Sequence, residues 1–254
     1  MFFPVGFSQQ DIVKNGLILW LDAADKSSYP GSAATWRNLI SGSNTATLIN
    51  GPTFNSEKGG SIVFDGTNDF SSFPGNTFGY SPGITGEVSL EMWIYPTGPY
   101  TAYLSEPPTT NLAGFFGQSY FANSIGWGLG MVTQGGINFF VFQVRNYANV
   151  IGVGSTTTSA FVNNNWYHVV GTINRSTFTR LYINGVNLAL NAISSAAVSG
   201  LTLTPSNSDA AIGKGGGAPF YGGCRIGQAR LYNRALSATE VSQNYNATRA
   251  RYGI

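Results

Sequence analysis

Charge is what this sequence lacks. Of 254 residues only 13 are Lys or Arg and 11 are Asp or Glu, so 9% are charged, against roughly 25% in ordinary soluble domains. With a net charge of +2 and no run of Lys or Arg, the chain carries no electrostatic footprint for nucleic acid. Cys224 stands alone, which excludes an intramolecular disulfide framework and a multi-thiolate metal site. His168 is also alone, so a Ser-His-Asp arrangement would have to use it. No stretch approaches the roughly 18–20 apolar residues of a membrane-spanning helix, so a soluble protein without membrane insertion is expected. The apolar opening Met1-Phe2-Phe3-Pro4-Val5-Gly6-Phe7 has no basic segment and runs into Ser8-Gln9-Gln10-Asp11. It is not expected to be a signal peptide, and synthesis in a reducing cytoplasm follows as an expectation.

Aromatic residues, at 14%, supply ample surface to bury, and 33 glycines punctuate the chain. Short β-prone runs recur between Gly, Asn, Pro and Ser, the pattern of an all-β sandwich or barrel. Val88, Leu90, Met92 and Ile94 alternate with Ser89, Glu91, Trp93 and Tyr95, one set on each face of a strand that Pro96 is expected to end. Phe139-Phe140-Val141-Phe142 reads as a strand covered on both faces. Residues 166–173 and 178–183 form a predicted hairpin, and Asn184-Gly185 favours a type I′ turn directly after it. About twelve strands in two packed sheets are expected. Residues 96–111 and 156–165 are expected as loops. At the end of the chain, Ser237-Ala238-Thr239-Glu240 has the form of a capping box. Val241, Tyr245 and Tyr252 then place one apolar stripe on a short helix.

The order of blocks along the chain is similar to a known family. Asn15-Gly16-Leu17-Ile18-Leu19-Trp20-Leu21-Asp22-Ala23, Thr35-Trp36-Arg37-Asn38-Leu39, Gly59-Gly60-Ser61-Ile62-Val63-Phe64-Asp65-Gly66, Trp166-Tyr167-His168-Val169, Leu181-Tyr182-Ile183-Asn184-Gly185 and Ile226-Gly227-Gln228-Ala229-Arg230-Leu231-Tyr232 resemble concanavalin A-like, laminin G-like domains. The resemblance implies a two-sheet jelly-roll sandwich with a short C-terminal helix. Residues 1–14 would form an arm, 15–236 the sandwich, and 237–254 a helix and tail packed on it. The opening and the ending Gln243-Asn244-Tyr245-Asn246-Ala247-Thr248-Arg249-Ala250-Arg251-Tyr252-Gly253 further resemble proteins carried by tailed bacteriophages and their hosts, often on the virion surface.

Several residue sets invite chemistry. Retaining glycoside hydrolysis needs two carboxylates about 5 Å apart, and Glu87 and Glu91 are the pair that a long strand would hold on one face. They read as ordinary solvent-face carboxylates. Asp65-Gly66-Thr67-Asn68-Asp69 offers hard oxygen donors at Asp65 and Asp69 that suit Ca²⁺, and the same five residues suit a tight turn. Asp22 and Asp25 are a weaker case of the same kind. His168 and Cys224 read as structural, and Gly213-Lys214-Gly215 as a loop without the order of a phosphate-binding motif. Among aromatics, Tyr100, Tyr120 and Phe121 are candidates for glycan or partner contact.

The resulting expectation is a non-enzymatic structural or adhesive module of a phage virion, a capsid decoration or fibre component made in the host cytoplasm. It would form homo-oligomers and meet other virion proteins through Phe2, Phe3, Phe7, Arg251 and Tyr252. The alternative is a carbohydrate-binding lectin for host-surface glycan, with or without Ca²⁺.

Overall fold

A computed structural model describes residues 11–41, 44–73, 87–100, 111–118, 126–134, 136–146, 149–174, 179–188, 191–192, 210–215 and 220–254. In chain order the strands are β1 (Leu17–Asp22), β2 (Thr35–Trp36), β3 (Ala46–Ile49), β4 (Thr53–Asn55), β5 (Ser61–Phe64), β6 (Phe70–Phe73), β7 (Val88–Tyr100), β8 (Asn111–Gln118) and β9 (Gly126–Gln134). They continue as β10 (Ile137–Asn146), β11 (Asn149–Ala160), β12 (Tyr167–Ile173), β13 (Thr179–Ile183), β14 (Val186–Asn187), β15 (Asn191–Ala192), β16 (Ala210–Ile212) and β17 (Gly222–Tyr232), and the chain closes with helix α1 (Ala238–Tyr252). One sheet runs β14-β13-β12-β7-β17-β5-β4 with β1 also on β17, and the other runs β15-β11-β10-β9-β8-β16-β6-β3-β2. The named pairs are antiparallel, as expected for a sandwich built from sequence-local hairpins and crossovers.

Alternation decides which residues enter the space between the sheets. Val88, Leu90, Met92 and Ile94 of β7, with Val169 of β12 and Leu231 of β17, are buried there against Leu129, Met131, Phe140 and Phe142 of the second sheet. Each fully buried side chain of this size contributes roughly 1.5–3 kcal/mol. Gly171 of β12 allows the close approach of the sheets, because a Cβ there would lie 2.3 Å from the Phe142 ring. Gly227 interrupts the alternation of β17. Ile226 pairs with Ile94 and Gln228 with Trp93, so Gly227 is an extra residue, a bulge that shifts the phase of the strand. Cys224 and Ile226 before it, and Ala229 and Leu231 after it, all join the core. Gln228, Arg230 and Tyr232 are thereby turned to the outer face.

Helix α1 covers part of that outer face. Ser237 Oγ accepts from Glu240 N and the Glu240 carboxylate accepts from Ser237 N, completing the expected capping box, and Gly253 ends the helix at φ 79°. Its buried side chains are Val241, Asn244, Ala247 and Tyr252. Residues 11–13 lie against the same helix: Val13 N donates to Asn244 Oδ1 at 2.7 Å and Gln243 Nε2 to Asp11 O at 2.7 Å. No helix among the described residues is long and apolar enough to cross a membrane.

Three segments differ from the sequence reading. β7 continues through Pro96 to Tyr100. Its β12 neighbour ends at the Tyr167–Ile94 pair, so Pro96 sits where that ladder no longer asks for an N–H. Residues 156–160 belong to β11 rather than to a loop: Ala160 pairs with Phe139 and Ser155 with Val141, so the stretch between them is an irregularity within the ladder and not its end. Glu91 is not a solvent-face carboxylate: at 1% exposure it is enclosed, because the face it points to is the one the helix covers. The Asn184-Gly185 turn is as expected, with φ of 51° and 77°.

Candidate binding cleft

Register sets the outer face of the first sheet in rows. Tyr182, Val170, Glu91, Arg230 and Trp20 lie side by side across β13, β12, β7, β17 and β1. His168, Trp93, Gln228 and Asp22 form the next row, and Arg180, Thr172, Ser89 and Tyr232 the row on the other side. The helix lies over part of this face and leaves part open.

The covered part is a hydrogen-bonded charge network. Arg230 Nη1 bonds Glu91 Oε1, and Arg230 Nη2 donates to Gln228 Oε1 at 2.5 Å. Gln228 Nε2 donates to Asp22 Oδ2 at 2.6 Å, and Asp22 Oδ1 accepts from Arg251 Nη1 at 2.7 Å. From the helix, Asn244 Nδ2 donates to Glu91 Oε2 at 2.6 Å. His168 Nε2 lies 3.0 Å from Glu91 Oε1, and Nδ1 has no partner among the described residues, so the tautomer with hydrogen on Nε2 fits. Burial alone would raise the Glu91 carboxyl, but Arg230, His168 and Asn244 hold it at about 2. Trp93 stacks on Tyr252 with ring centroids 4.1 Å apart, and its Nε1 donates to Thr248 Oγ1 at 2.8 Å.

The open part is a cleft of about 600 Å³ over β12, β13 and β14, walled by the segment 234–240. Ser89 fixes that wall, since its Oγ donates to Arg234 O and accepts from Leu236 N, both at 2.9 Å. Arg234 grips Glu240 with two guanidinium nitrogens, at 2.9 and 2.6 Å, and Nε donates to Asn15 O. That grip, with Ser237 adding to it against burial, holds the Glu240 carboxyl at about 2. Arg180 is exposed and makes no ion pair among the described residues. Burial raises the Tyr182 phenol, with Arg180 acting against the rise. Asn174, Asn187 and Ser237 complete the polar lining, over a floor of Thr172 and Tyr182 that is 2% exposed at each. A volume of this order suits a small-molecule ligand.

None of the expected site residues that the structure describes lines the cleft. Phe2, Phe3, Phe7, Tyr120 and Phe121 lie outside the described residues. Tyr100 is half-buried, donates to Asn163 Oδ1 at 2.5 Å and sits edge-on to Phe115 and Phe161. Arg251 and Tyr252, expected to meet other molecules, are engaged within the domain. Arg251 also donates to Lys58 O and Gly60 O, and Tyr252 is 3% exposed. Asp65 Oδ1 accepts from the backbone N–H of Thr67, Asn68 and Asp69, while Asp69 Oδ2 accepts from Asp65 N. Burial opposes the effect, but those N–H donors lower the Asp65 carboxyl, whereas burial and the neighbouring Asp65 charge raise that of Asp69. Among the described residues no three His, Cys, Asp or Glu side chains cluster as metal ligands. Cys224 is fully buried and burial raises its thiol, so it sits in the core as a packed, unreactive group. Sequence reasoning missed Arg180, Arg234 and Asn187 as a set. The available signal was an arginine at an alternating position of β13 in a chain with little charge.

The two-sheet sandwich with an outer-face cleft defines a lectin- or glucanase-like fold. Residues 65–242, more than half of the chain, match the laminin G type 3 family model, described as "Concanavalin A-like lectin/glucanases superfamily", and the chain belongs to that superfamily. No curated protein is similar to it in sequence. Among solved structures, Trypanosoma rangeli sialidase in complex with sialic acid superposes with a TM-score of 0.62 at 17% identity, over 93% of this chain and 33% of that one. The binding domain of Paraclostridial Mosquitocidal Protein 1 gives 0.62 at 17%, over 91% and 52%. Domain 4 of AbnA, a GH43 extracellular arabinanase from Geobacillus stearothermophilus, in complex with arabinotriose, gives 0.57 at 16%, over 90% and 98%. These identities establish a shared fold, and this chain spans about a third of the sialidase's length. The expectation of a non-enzymatic chain is corrected: sialidases share the fold, so it cannot be set apart from glycosidases on that ground. Nothing in these similarities links the chain to bacteriophage virions.

Proposed function

We propose that this chain is a carbohydrate-binding domain that takes a saccharide into the cleft over β12, β13 and β14. The observation that carries the reading is the cleft itself, a hollow of about 600 Å³ lined by guanidinium, amide, hydroxyl and phenol groups on a hydrogen-bonded sheet. Hydrogen-bonding side chains on a fixed floor suit sugar hydroxyls, because their positions are set before the ligand arrives. Superfamily membership supports it, and so does the AbnA domain of similar extent, whose structure is a complex with arabinotriose.

A glycan array probed with the purified chain, with and without Ca²⁺, tests the proposal, followed by titration calorimetry on the glycans retained. Asn187 is exposed at the cleft, so Asn187→Trp fills the opening without disturbing the core. Binding should fall at least tenfold in N187W, with an unchanged melting temperature. An array without binders, or affinity unaffected by N187W, would overturn the reading.

A further inference from the structure

Resting on that reading, we infer that the cleft selects saccharides that carry a carboxylate, with Arg180 as the group that pairs with it. Among the described residues, three charged side chains line the cleft: Arg180, Arg234 and Glu240. Arg234 and Glu240 cancel through two parallel hydrogen bonds. Glu240 Oε2 accepts two more, from Ser237 N at 2.9 Å and Ser237 Oγ at 3.0 Å, so the carboxylate is held within the wall. Among the described residues, what remains toward a ligand is one positive charge, on Arg180.

The position of Arg180 suits that role. It lies directly across the ladder from Thr172 and two residues before Tyr182, hence on the same face as both. Asn187 pairs with Tyr182 on the next strand. A carboxylate on the Arg180 fork would leave the sugar ring beside the exposed Asn187, above a floor in which Thr172 and Tyr182 are each 2% exposed. Arginine's planar donors match a carboxylate in two-bond geometry, and that pair is charge-assisted, which a pair made to the hydroxyls of a neutral sugar is not. Arg230 and Arg251, on the covered part of the face, are held by Glu91 and Asp22. Arg180 is different because no carboxylate among the described residues answers it.

The test uses an array of uronate- and sialate-bearing glycans printed beside their carboxyl-reduced counterparts, probed with the wild-type chain, Arg180→Ala and Arg180→Gln. Acidic forms should be preferred at least about tenfold, as expected for one charge-assisted hydrogen bond. The preference should vanish in both variants while their melting temperatures hold. Equal binding of acidic and reduced forms, abolished by N187W, would overturn the inference and leave the saccharide reading standing. Preference for acidic forms that survives both Arg180 variants would remove Arg180 from the role. No binding to either series would overturn the inference and the reading together.

Discussion

On the inner face of the first sheet, Leu90 and Met92 meet Phe140 and Phe142 of the opposite sheet. One residue along the same strand, Glu91 faces outward and meets Arg230, His168 and Asn244. Both positions are buried, but they are held by different physics. Apolar packing is non-directional and tolerates another side chain of similar volume. The outer network depends on each donor meeting its acceptor, because a buried charge left without its partner is strongly penalised. The same face shows both conditions: where α1 covers it charges are paired and enclosed, and where α1 stops Arg180 stands open.

Neighbouring positions 90 and 91 give the largest test of that contrast. Glu91→Gln, nearly isosteric, should lower unfolding free energy by about 3–5 kcal/mol because Arg230 stays buried without a counter-charge. Leu90→Met should cost less than about 1.5 kcal/mol. Urea denaturation measures both, and equal losses would erase the distinction between the faces. Adding Arg230→Met to Glu91→Met should recover part of the loss, since His168, Asn244 and Gln228 are then short of hydrogen bonds rather than of charge.

Acid should act on the outer face selectively. The Glu91 carboxyl is held at about 2 in the folded chain against an ordinary 4.5. Its contribution is therefore fully present above about 4.5 and lost as pH falls through about 2. Urea midpoints for the wild type should fall across that window, and Glu91→Gln should flatten the dependence. Glu240→Gln should flatten it less and in a salt-sensitive way, because that pair is partly exposed. A wild-type profile identical to that of E91Q would remove Glu91 as a source of acid sensitivity. The smallest effect lies at the boundary between covered and open face: Ser237→Ala should cost about 0.5–2 kcal/mol through loss of the cap. Circular dichroism melts would show it, and an unchanged melt would mean that packing alone holds the start of α1.

Much of the sandwich was legible because alternation is a local property. Val88 to Ile94 and Phe139 to Phe142 announced their faces, Asn184-Gly185 its turn, and Ser237 with Glu240 the start of the helix. What alternation cannot state is what covers a face. Glu91 was placed correctly on the side opposite Leu90, yet its burial depends on a helix some 150 residues later in the chain. Tyr252 reads both as part of the apolar stripe of the helix and as a contact for other molecules, and the stripe is what the structure has: it stacks on Trp93. The cleft was illegible because it joins residues 172–187 to 234–240 through ladder register and the Ser89 anchor, neither of which leaves a local pattern. Asp65 and Asp69 were legible as two alternatives, and the hydrogen bonds drawn are those of the turn.

The extra residue at Gly227 acts on the chain as a frame shift does on a message. Every residue of β17 after it takes the face opposite to unbroken alternation, and the same letters paired one to one, with no bulge, would carry Gln228, Arg230 and Tyr232 into the sandwich and Ala229 and Leu231 out under the helix. A single glycine thus sets which half of the strand is spelled in oil and which in charge. It also admits the Tyr252 hydroxyl, which would lie 2.5 Å from a Cβ at this position, so the residue that turns the arginine outward also makes room for the helix that encloses it.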